Sequence, residues 1–340
     1  MPYALTVKKT DGKPGQVYYP LVLKDVPRPT PGPGELLVRI RAVALNHRDL
    51  FIRQNLYPGI SFENPLLADG FGVVEEVGPG CQRGDVAKVG AGVVLVPCRN
   101  WIDDPDGPED YARFSVIGGA AAVDAGTATE YLTVPEAELE LAPAHLSPTE
   151  AAALPLVGLT AWRALVTKAN IAAAPPRGGG GGGPTRNVLV TGIGGGRRGR
   201  RALLQQLPAE RPLFDAIVDG AGGDIIKRAC RLLRPGGVVS SYGMTVGPKM
   251  DWLMSAVLRN LELKGSTMGS RAEFRAMVAF VREHKIRPVV SRVAYGGLSH
   301  ASLPAIESLF EDMKGGKQFG KLVLSFDKEP TPGPDSPSKL

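Results

Sequence analysis

The segment NVLVTGIGGG, residues 187–196, decides the fold class. Its first half is a run of apolar residues typical of a buried strand, and its second half is a glycine turn. Glycines let the backbone approach a ligand closely, and a helix that follows such a turn directs its N–H groups at a phosphate. The segment therefore predicts a dinucleotide-binding turn whose candidate cofactor-binding residues are Gly192, Gly194, Gly195 and Gly196.

The chain follows different patterns before and after this segment. After it, apolar runs alternate with helical segments, which is typical of a parallel doubly wound sheet. The predicted strands there are 214–219, 238–242, 261–265 and 321–325, and the predicted helices are 224–233 and 271–284. Before it, to about residue 160, short apolar runs alternate with turn residues at 36–40, 72–78, 93–96 and 130–134. The sequence predicts an α/β protein with a β-rich first domain.

The first crossover of the parallel sheet is predicted to be short. Only about 22 residues lie between Gly192 and the next predicted strand. A full crossover contains a helix, a second strand ending near the acid that reads the ribose, and another helix. Glu210 and Asp215 lie at about the right distance for that acid, but neither ends a predicted strand. Together with six consecutive glycines at 178–183, this predicts a shortened cofactor domain with a flexible insertion.

Composition excludes several classes of function. The net charge is +6, but part of the excess lies in one arginine cluster at 197–201, and aromatic residues make up only 6%. A nucleic-acid surface would need a broader basic patch with interleaved aromatics, so no nucleic-acid partner is expected. The three widely spaced cysteines predict no disulfide framework. No apolar run approaches the roughly 20 residues of a membrane helix, so no membrane partner is expected either.

Five motifs in a fixed order carry a family resemblance. They are NHRD at 46–49, GFGVVEEVG at 70–78, GTATEY at 126–131, GLTAWRAL at 158–165 and VLVTG at 188–192. Over roughly residues 20–326 the chain resembles the medium-chain dehydrogenase/reductase superfamily, in its zinc-free quinone-oxidoreductase and enoyl-reductase branch. The resemblance implies a GroES-like catalytic domain at 1–157 and 290–326, a Rossmann-type cofactor domain at 158–289, and a disordered tail at 327–340.

The resemblance also implies that neither zinc site of the superfamily is present. Zinc-dependent members carry a cysteine at the position of Asn46, a His-Glu pair at 68–69, and a cysteine or histidine near Leu156. A catalytic zinc needs about three protein ligands, and this chain offers an amide and hydrocarbon side chains at those ligand positions. The structural zinc needs four cysteines, and the corresponding loop offers only Cys98. No metal ligands are therefore expected.

Residues 46–58 are similar to the substrate loop of zinc-free quinone reductases and 2-enoyl thioester reductases. In the enoyl reductases a tyrosine at the position of Tyr57 donates a proton, which suits the chemistry because a phenol protonates one carbon after hydride adds to the other. The alternative is that Tyr57 only caps a loop beside Pro58. Asn46 is expected to contribute its amide to the acceptor oxygen.

Two further residues are candidates for contact with the cofactor, which is expected to be NADP or NAD. Thr160 corresponds to the residue that lies beside the nicotinamide ring in the superfamily. Ser270 follows a predicted strand and is a candidate at the nicotinamide end, and the alternative is that it caps the helix starting at Arg271.

These residues predict an NAD(P)H-dependent oxidoreductase that reduces a small quinone, enal or enoyl thioester by hydride transfer without zinc. Two alternatives stay open. One is an inactive fold relic or mis-spliced product that acts only as a scaffold or subunit, which the short crossover favours. The other is a zinc-type alcohol dehydrogenase-like enzyme, which the missing ligands disfavour. A homodimer is one possible assembly, because relatives commonly associate through the edge of the cofactor-domain sheet.

The C-terminal tripeptide predicts a destination. Ser338, Lys339 and Leu340 form the signal read by the peroxisomal import receptor. The proline-rich segment before it, 329–337, cannot hold a helix, so the signal is expected to be extended and accessible. The expected location is the peroxisome, with the cytoplasm as the fallback.

Overall fold

The computed structural model describes residues 1–171, 186–192, 204–247, 249–316 and 318–329. The chain divides into a first unit, Met1–Leu156 with Phe274–Leu340, and a second unit, Val157–Glu273. The sequence predicts the return to the first domain only at residue 290, whereas the structure groups the residues from Phe274 onward with the first unit.

Several predicted features lie outside the described residues. They are Gly194, Gly195 and Gly196 of the glycine turn, the glycine run at 178–183, the arginines at 197–201, and the tripeptide Ser338, Lys339 and Leu340.

The elements are numbered in chain order. The strands are β1 (Tyr3–Val7), β2 (Leu21–Asp25), β3 (Glu35–Ala44), β4 (Asp69–Val77), β5 (Gly92–Leu95), β6 (Cys98–Arg99), β7 (Ser115–Val116), β8 (Tyr131–Pro135), β9 (Leu139–Leu141), β10 (Val188–Val190), β11 (Phe214–Asp219), β12 (Leu233–Ser241), β13 (Glu262–Gly265), β14 (Val290–Ala294) and β15 (Lys321–Ser325). The helices are α1 (His47–Arg53), α2 (Pro148–Ala152), α3 (Pro155–Trp162), α4 (Ile225–Leu232), α5 (Met254–Val257), α6 (Arg271–His284) and α7 (Leu303–Lys314), and a π-helical segment, Arg163–Lys168, continues α3. In the described ranges, every helix is too short or too polar to cross a bilayer.

The first unit is built on a seven-stranded sheet in the order β14-β15-β3-β4-β5-β9, with β8 also paired to β3. β3 is the longest strand of the described residues, and seven of the ten residues in its sequence ELLVRIRAVA are buried. It pairs antiparallel with β4, β8 and β15. β3 therefore fixes the positions of the strands that carry the site described below.

Helix α7 packs against the core of this sheet. Four of its apolar residues recur at the spacing of one helical face and are buried: Ile306, Leu309, Phe310 and Met313. Arg53 at the end of α1 is also fully buried, and its guanidinium donates two hydrogen bonds to the Glu307 carboxylate, at 2.7 and 2.9 Å. This two-pronged pair attaches α1 to α7.

The second unit contains four parallel strands in the order β10-β11-β12-β13. The predicted alternation of strands and helices is confirmed, and β11 and α6 have the predicted bounds. β11 is buried along its whole length, whereas β10 lies at an edge and Val190 is 39% exposed. Among the described residues, β11 is the only strand that pairs with β10. Within the described ranges, β10 is therefore the edge strand of this sheet.

Strand β12 begins earlier than the sequence predicts. The segment 235–237, Pro-Gly-Gly, is predicted to end α4 in a turn, but it lies within β12. The pairing register with β11 shifts between Phe214 and Ala216, and Gly236 has a φ of +71°. Glycine adopts this backbone conformation readily, so the strand contains an irregularity at the point where a turn is predicted.

The loop between β6 and β7 is organised by one carboxylate. Glu109 accepts hydrogen bonds from the backbone N–H groups of Ile102, Asp103 and Asp104, at 2.8–3.2 Å. Desolvation opposes ionisation of this group, but the backbone hydrogen bonds outweigh it and lower the pKa of Glu109 to about 2. The Glu109 carboxylate therefore holds this loop in place.

We predict that Glu109→Gln loosens this loop, because a neutral amide accepts the three N–H groups more weakly than a carboxylate does. Amide hydrogen exchange at Ile102, Asp103 and Asp104 should become about tenfold faster at neutral pH. In the unmutated protein, the stabilisation from Glu109 should be complete above its ordinary pKa of 4.5 and be lost as the pH falls toward about 2. Glu63→Gln, which removes an exposed carboxylate paired with a lysine, should leave this exchange unchanged. Equal exchange in both variants would contradict the role of Glu109.

Candidate active site

Three chain segments meet at one end of the large sheet of the first unit. β3 ends at Ala44, which lies opposite Asp69, the first residue of β4. β15 starts at Lys321, and its Val323 lies opposite the same Ala44. The backbone N–H of Leu45 donates to the carbonyl of Leu322 at 2.9 Å. The register therefore brings the residue after β3, the start of β4 and the start of β15 together.

Asn46, Asp69 and Lys321 form a buried polar cluster at this point. The Lys321 ammonium donates to Asn46 Oδ1 at 2.6 Å and to Asp69 Oδ2 at 2.7 Å. Asn46 Nδ2 donates to Asp69 Oδ2 at 3.0 Å, and the backbone N–H of Leu156 donates to Asp69 Oδ1 at 2.7 Å. The Asp69 side chain has no exposed surface, and the Lys321 side chain is 11% exposed. We call Asn46, Asp69 and Lys321 the amide–carboxylate–ammonium cluster.

A second buried carboxylate lies beside this cluster. Asp49 accepts hydrogen bonds from the backbone N–H of Asn46 at 2.8 Å and from Arg48 Nη1 at 3.1 Å. Burial raises the pKa of Asp49 to about 6, although Arg48, the Asn46 hydrogen bond and the Lys321 charge lower it. Burial therefore outweighs the neighbouring positive charges in setting the pKa of Asp49.

Tyr57 lies against Arg48. The Arg48 guanidinium stands 4.7 Å from the centroid of the Tyr57 ring, and Arg48 is only 8% exposed. No described residue accepts a hydrogen bond from its Nε or Nη2, and the guanidinium lies over the ring face instead. Tyr57 is half-buried, and no described residue hydrogen-bonds its hydroxyl. The ring is held in place while the phenol O–H stays available.

His47 lies on the exposed side of α1. Desolvation of its ring and the nearby Lys321 ammonium lower the pKa of His47, so the imidazole is neutral at physiological pH. The field of the amide–carboxylate–ammonium cluster therefore extends to the accessible face of this helix.

In the second unit, the candidate cofactor residues lie where the parallel strands end. Gly192 follows β10 with a φ of +74°, and an added Cβ would meet no atom of the described residues within 4 Å. The same holds for Gly265, the last residue of β13. The buried hydroxyls of Ser240 and Ser266, near the ends of β12 and β13, have no hydrogen-bond partner in the described part of the chain. This carboxyl edge is where parallel α/β sheets bind ligands.

Other candidates in this unit have identified partners. Thr160 Oγ1 lies 3.9 Å from Met268 Sδ. Ser270 Oγ accepts from the backbone N–H of Glu273 at 3.1 Å, and Glu273 Oε2 accepts from the backbone N–H of Ser270 at 2.8 Å. Ser270 thus caps α6, as one of its two predicted roles requires, and its contact with a cofactor stays a prediction.

Asp215, one of the two acids counted from the glycines, belongs to a structural ion pair. Its carboxylate accepts from the backbone N–H of Asn187 at 2.8 Å, from Arg211 at 2.6 Å and from Arg234 at 2.8 Å. It is 4% exposed. These partners occupy the carboxylate, so Asp215 does not provide a ribose-reading acid.

Sequence reasoning singled out Asn46 and Tyr57 but missed Asp69 and Lys321. The structure joins Asn46 to Asp69 and Lys321, and it places Tyr57 beside Arg48. The available signal was a lysine that opens the last strand, in a segment KLVLS that is otherwise apolar or neutral. A charged residue at such a position is rarely buried without a partner.

Comparisons with known proteins agree with this architecture. Residues 32–144 match the family described as alcohol dehydrogenase GroES-like domain, and residues 202–324 match the family described as zinc-binding dehydrogenase. In the described ranges, no group of three or more His, Cys, Asp or Glu residues is arranged to hold a metal ion.

Individual relatives extend over most of the chain. It is 48% identical to the zinc-type alcohol dehydrogenase-like protein YogA of Leptosphaeria maculans over 369 aligned residues, which cover 95% of this chain and 99% of that protein. A chloroplastic quinone-oxidoreductase, QR1 of Triphysaria versicolor, is 28% identical over 172 residues, 51% of this chain and 44% of that protein. The solved structure of an NAD-dependent alcohol dehydrogenase matches with a TM-score of 0.71 at 28% identity, covering 96% of this chain and 99% of that one. The predicted fold class, α/β with a GroES-like domain and a parallel Rossmann-like sheet, is confirmed.

We predict that Asp49→Asn changes how stability depends on pH. The ordinary pKa of the carboxyl is 3.8 and the folded value is about 6, so the folded state holds this proton more tightly than the unfolded state. The contribution of Asp49 to the free energy of unfolding should therefore fall as the pH rises from about 4 to about 6, and Asp49→Asn should lack that fall.

Urea unfolding of both proteins at pH 4 and pH 7 measures this difference. Asp85→Asn is the control, because hydrogen bonding to Arg83 lowers the pKa of Asp85 below its ordinary 3.8. The stabilisation from Asp85 is therefore nearly complete at pH 4, and the difference between the unmutated protein and this control should change little from pH 4 to pH 7. If the unmutated protein instead gained stability relative to Asp49→Asn between pH 4 and pH 7, the ion pair with Arg48 would outweigh burial in setting the pKa of Asp49.

Proposed function

Because the chain belongs to the medium-chain dehydrogenase/reductase superfamily, whose members are pyridine-nucleotide-dependent oxidoreductases, we propose that it reduces a quinone, enal or enoyl thioester without zinc. The observation that carries this proposal is the amide–carboxylate–ammonium cluster. The cluster places the positive charge of Lys321 beside Asn46 and Asp69 without a metal.

The donor set at this site does not suit a catalytic zinc. At the three ligand positions the chain has Asn46, Ala68 and Leu156, and zinc requires imidazole, thiolate or carboxylate ligands. Asp69 is the nearest carboxylate, and both of its oxygens already accept hydrogen bonds from this chain's own donors. We therefore derive no catalytic step through a metal.

The second unit suits a dinucleotide at the carboxyl edge of its sheet. Counting only the described residues, Gly192 and Gly265 leave room for close backbone approach, and the Ser240 and Ser266 hydroxyls have no hydrogen-bond partner. When bound, NADPH or NADH supplies the hydride. The relatives leave the choice between the two cofactors open.

The chain's own residues supply binding and proton transfer in this proposal. Hydride addition to one carbon of an activated double bond places negative charge on the carbonyl oxygen, and an N–H of Asn46 holds that oxygen. The Tyr57 phenol then donates its proton to the neighbouring carbon. Arg48, stacked on the ring at 4.7 Å, orients the phenol and stabilises the phenolate left behind.

We also propose that the first crossover of the cofactor domain is shortened. Supporting observations are the edge position of β10 in a four-stranded sheet and an alignment to the Leptosphaeria protein that is longer, at 369 residues, than this 340-residue chain. A shortened crossover weakens the grip on the adenosine half of the cofactor, so we expect weaker cofactor binding than in full-length relatives.

The second candidate function is that of a zinc-type alcohol dehydrogenase-like enzyme. The printed name of the Leptosphaeria relative favours it, and the name of the Triphysaria quinone-oxidoreductase favours the leading proposal. The two functions differ in substrate and in their need for metal.

One set of assays separates these functions. Fluorescence titration with NADPH and NADH should give saturable binding, and enones or quinones should accelerate oxidation of the reduced cofactor with or without a zinc chelator. Oxidation of alcohols that depends on added zinc would instead support the second candidate. If neither cofactor bound saturably up to millimolar concentration, the result would support the alternative that the chain is an inactive member of the fold that acts only as a scaffold or subunit.

We predict that Tyr57→Phe lowers kcat with a 2-enoyl thioester about 100-fold, because the variant lacks the donated proton but keeps the ring beside Arg48. Cofactor affinity and thermal stability should stay unchanged. Tyr111→Phe, at a side chain that is 71% exposed, is the matched control and should keep full activity. An unchanged kcat in Tyr57→Phe would remove Tyr57 as the proton donor.

A further inference from the structure

Lys321 and Asn46 each have more N–H groups than the protein uses. A protonated lysine has three N–H groups, and two of these point to Asn46 Oδ1 and Asp69 Oδ2. The Asn46 amide has two, and one points to Asp69 Oδ2. For each residue, one N–H has no acceptor among the described residues.

The two donors are held in a fixed arrangement. The Asp69 carboxylate, with no exposed surface, binds both of them through one oxygen, and its other oxygen accepts from the Leu156 backbone. Asn46 and Lys321 also bind each other at 2.6 Å, and strand pairing fixes the backbone on which each stands. Because the donors cannot rotate away independently, their spare N–H groups are organised in advance of any ligand.

We propose that Lys321 Nζ and Asn46 Nδ2 form an oxyanion-binding pair. The ligand class is an oxygen that carries full or growing negative charge on a conjugated organic molecule, such as an enolate or a phenolate. This inference rests on the proposed function for its substrate, because the enolate oxygen formed by hydride addition is the natural occupant. Lys321 then stabilises charge that zinc-dependent relatives would place on a metal.

A purely structural role for Lys321 makes a different prediction. If Lys321 only neutralises the buried Asp69 carboxylate, then removing both charges together restores everything that Lys321 provides. If Lys321 also binds an oxyanion, removing both charges restores the fold but not the binding. The double variant Lys321→Met/Asp69→Asn separates these roles, and it also avoids the unpaired buried carboxylate that Lys321→Met alone would leave.

The test uses 4-nitrophenolate as the probe, at a pH above the ionisation of the phenol, with binding followed by the shift of its absorbance. The full-length protein should bind it saturably without cofactor. The double variant should unfold at the same temperature as the unmutated protein, bind the probe at least tenfold more weakly, and reduce an enone with a kcat about 100-fold lower. Asn46→Ala, which keeps the Lys321–Asp69 pair, should weaken probe binding about tenfold.

Lys24→Met is the matched control for charge, because Lys24 also bridges a carboxylate and a carbonyl oxygen in the first unit, and it should bind the probe normally. Normal probe binding by the double variant, or no probe binding by the unmutated protein, would overturn the oxyanion-binding pair. Probe binding that depends on Lys321 in a protein that does not oxidise NADPH or NADH would keep the pair and reject the proposed function.

Discussion

The structure depends on satisfying one buried charge. A carboxylate without exposed surface is tolerated only when its oxygens are hydrogen-bonded and its charge is paired. Asp69 meets both conditions with donors from three separate parts of the chain: the Leu156 backbone, the Asn46 amide and the Lys321 ammonium. Each donor stands at or near the end of a regular element, so one electrostatic requirement fixes where α1 and β15 begin relative to β4.

The regular elements were largely predictable because their signals are local. β11 and α6 have the predicted bounds, since a run of apolar residues between turn signals and an amphipathic period both lie within a few consecutive residues. The prediction that segment 235–237 forms a turn that ends α4 was wrong because it also used only a local signal. Its Pro-Gly-Gly sequence is a strong local turn signal, yet Leu233 before it and Val238 after it both pair with β11, so the segment forms an irregularity inside the strand instead of ending it.

Only part of the candidate site has a signal in the sequence. The family resemblance pointed to Asn46 and Tyr57, but the partner that organises Asn46 stands 275 residues away in the sequence. No local pattern links an isolated lysine to a carboxylate, because the link exists only through the register of β3 with β4 and β15. Ser270 shows the opposite limit. Its two expected roles use the same side chain; the structure shows the helix cap with Glu273, and the contact with a cofactor stays a prediction.

The long separation between the charged partners has a consequence for biosynthesis. Lys321 is 252 residues from Asp69, so the ribosome adds that whole stretch after Asp69 has been made. At typical elongation rates of about 5–20 residues per second, the carboxylate waits roughly 10–50 s for its counterion. During that interval the Asp69 carboxylate has no ammonium partner, so burying it in the nascent first unit costs more free energy than in the finished protein. The central sheet also lacks β15 at this stage. A chaperone that shields the incomplete sheet edge would therefore be most needed before the last strand leaves the exit tunnel.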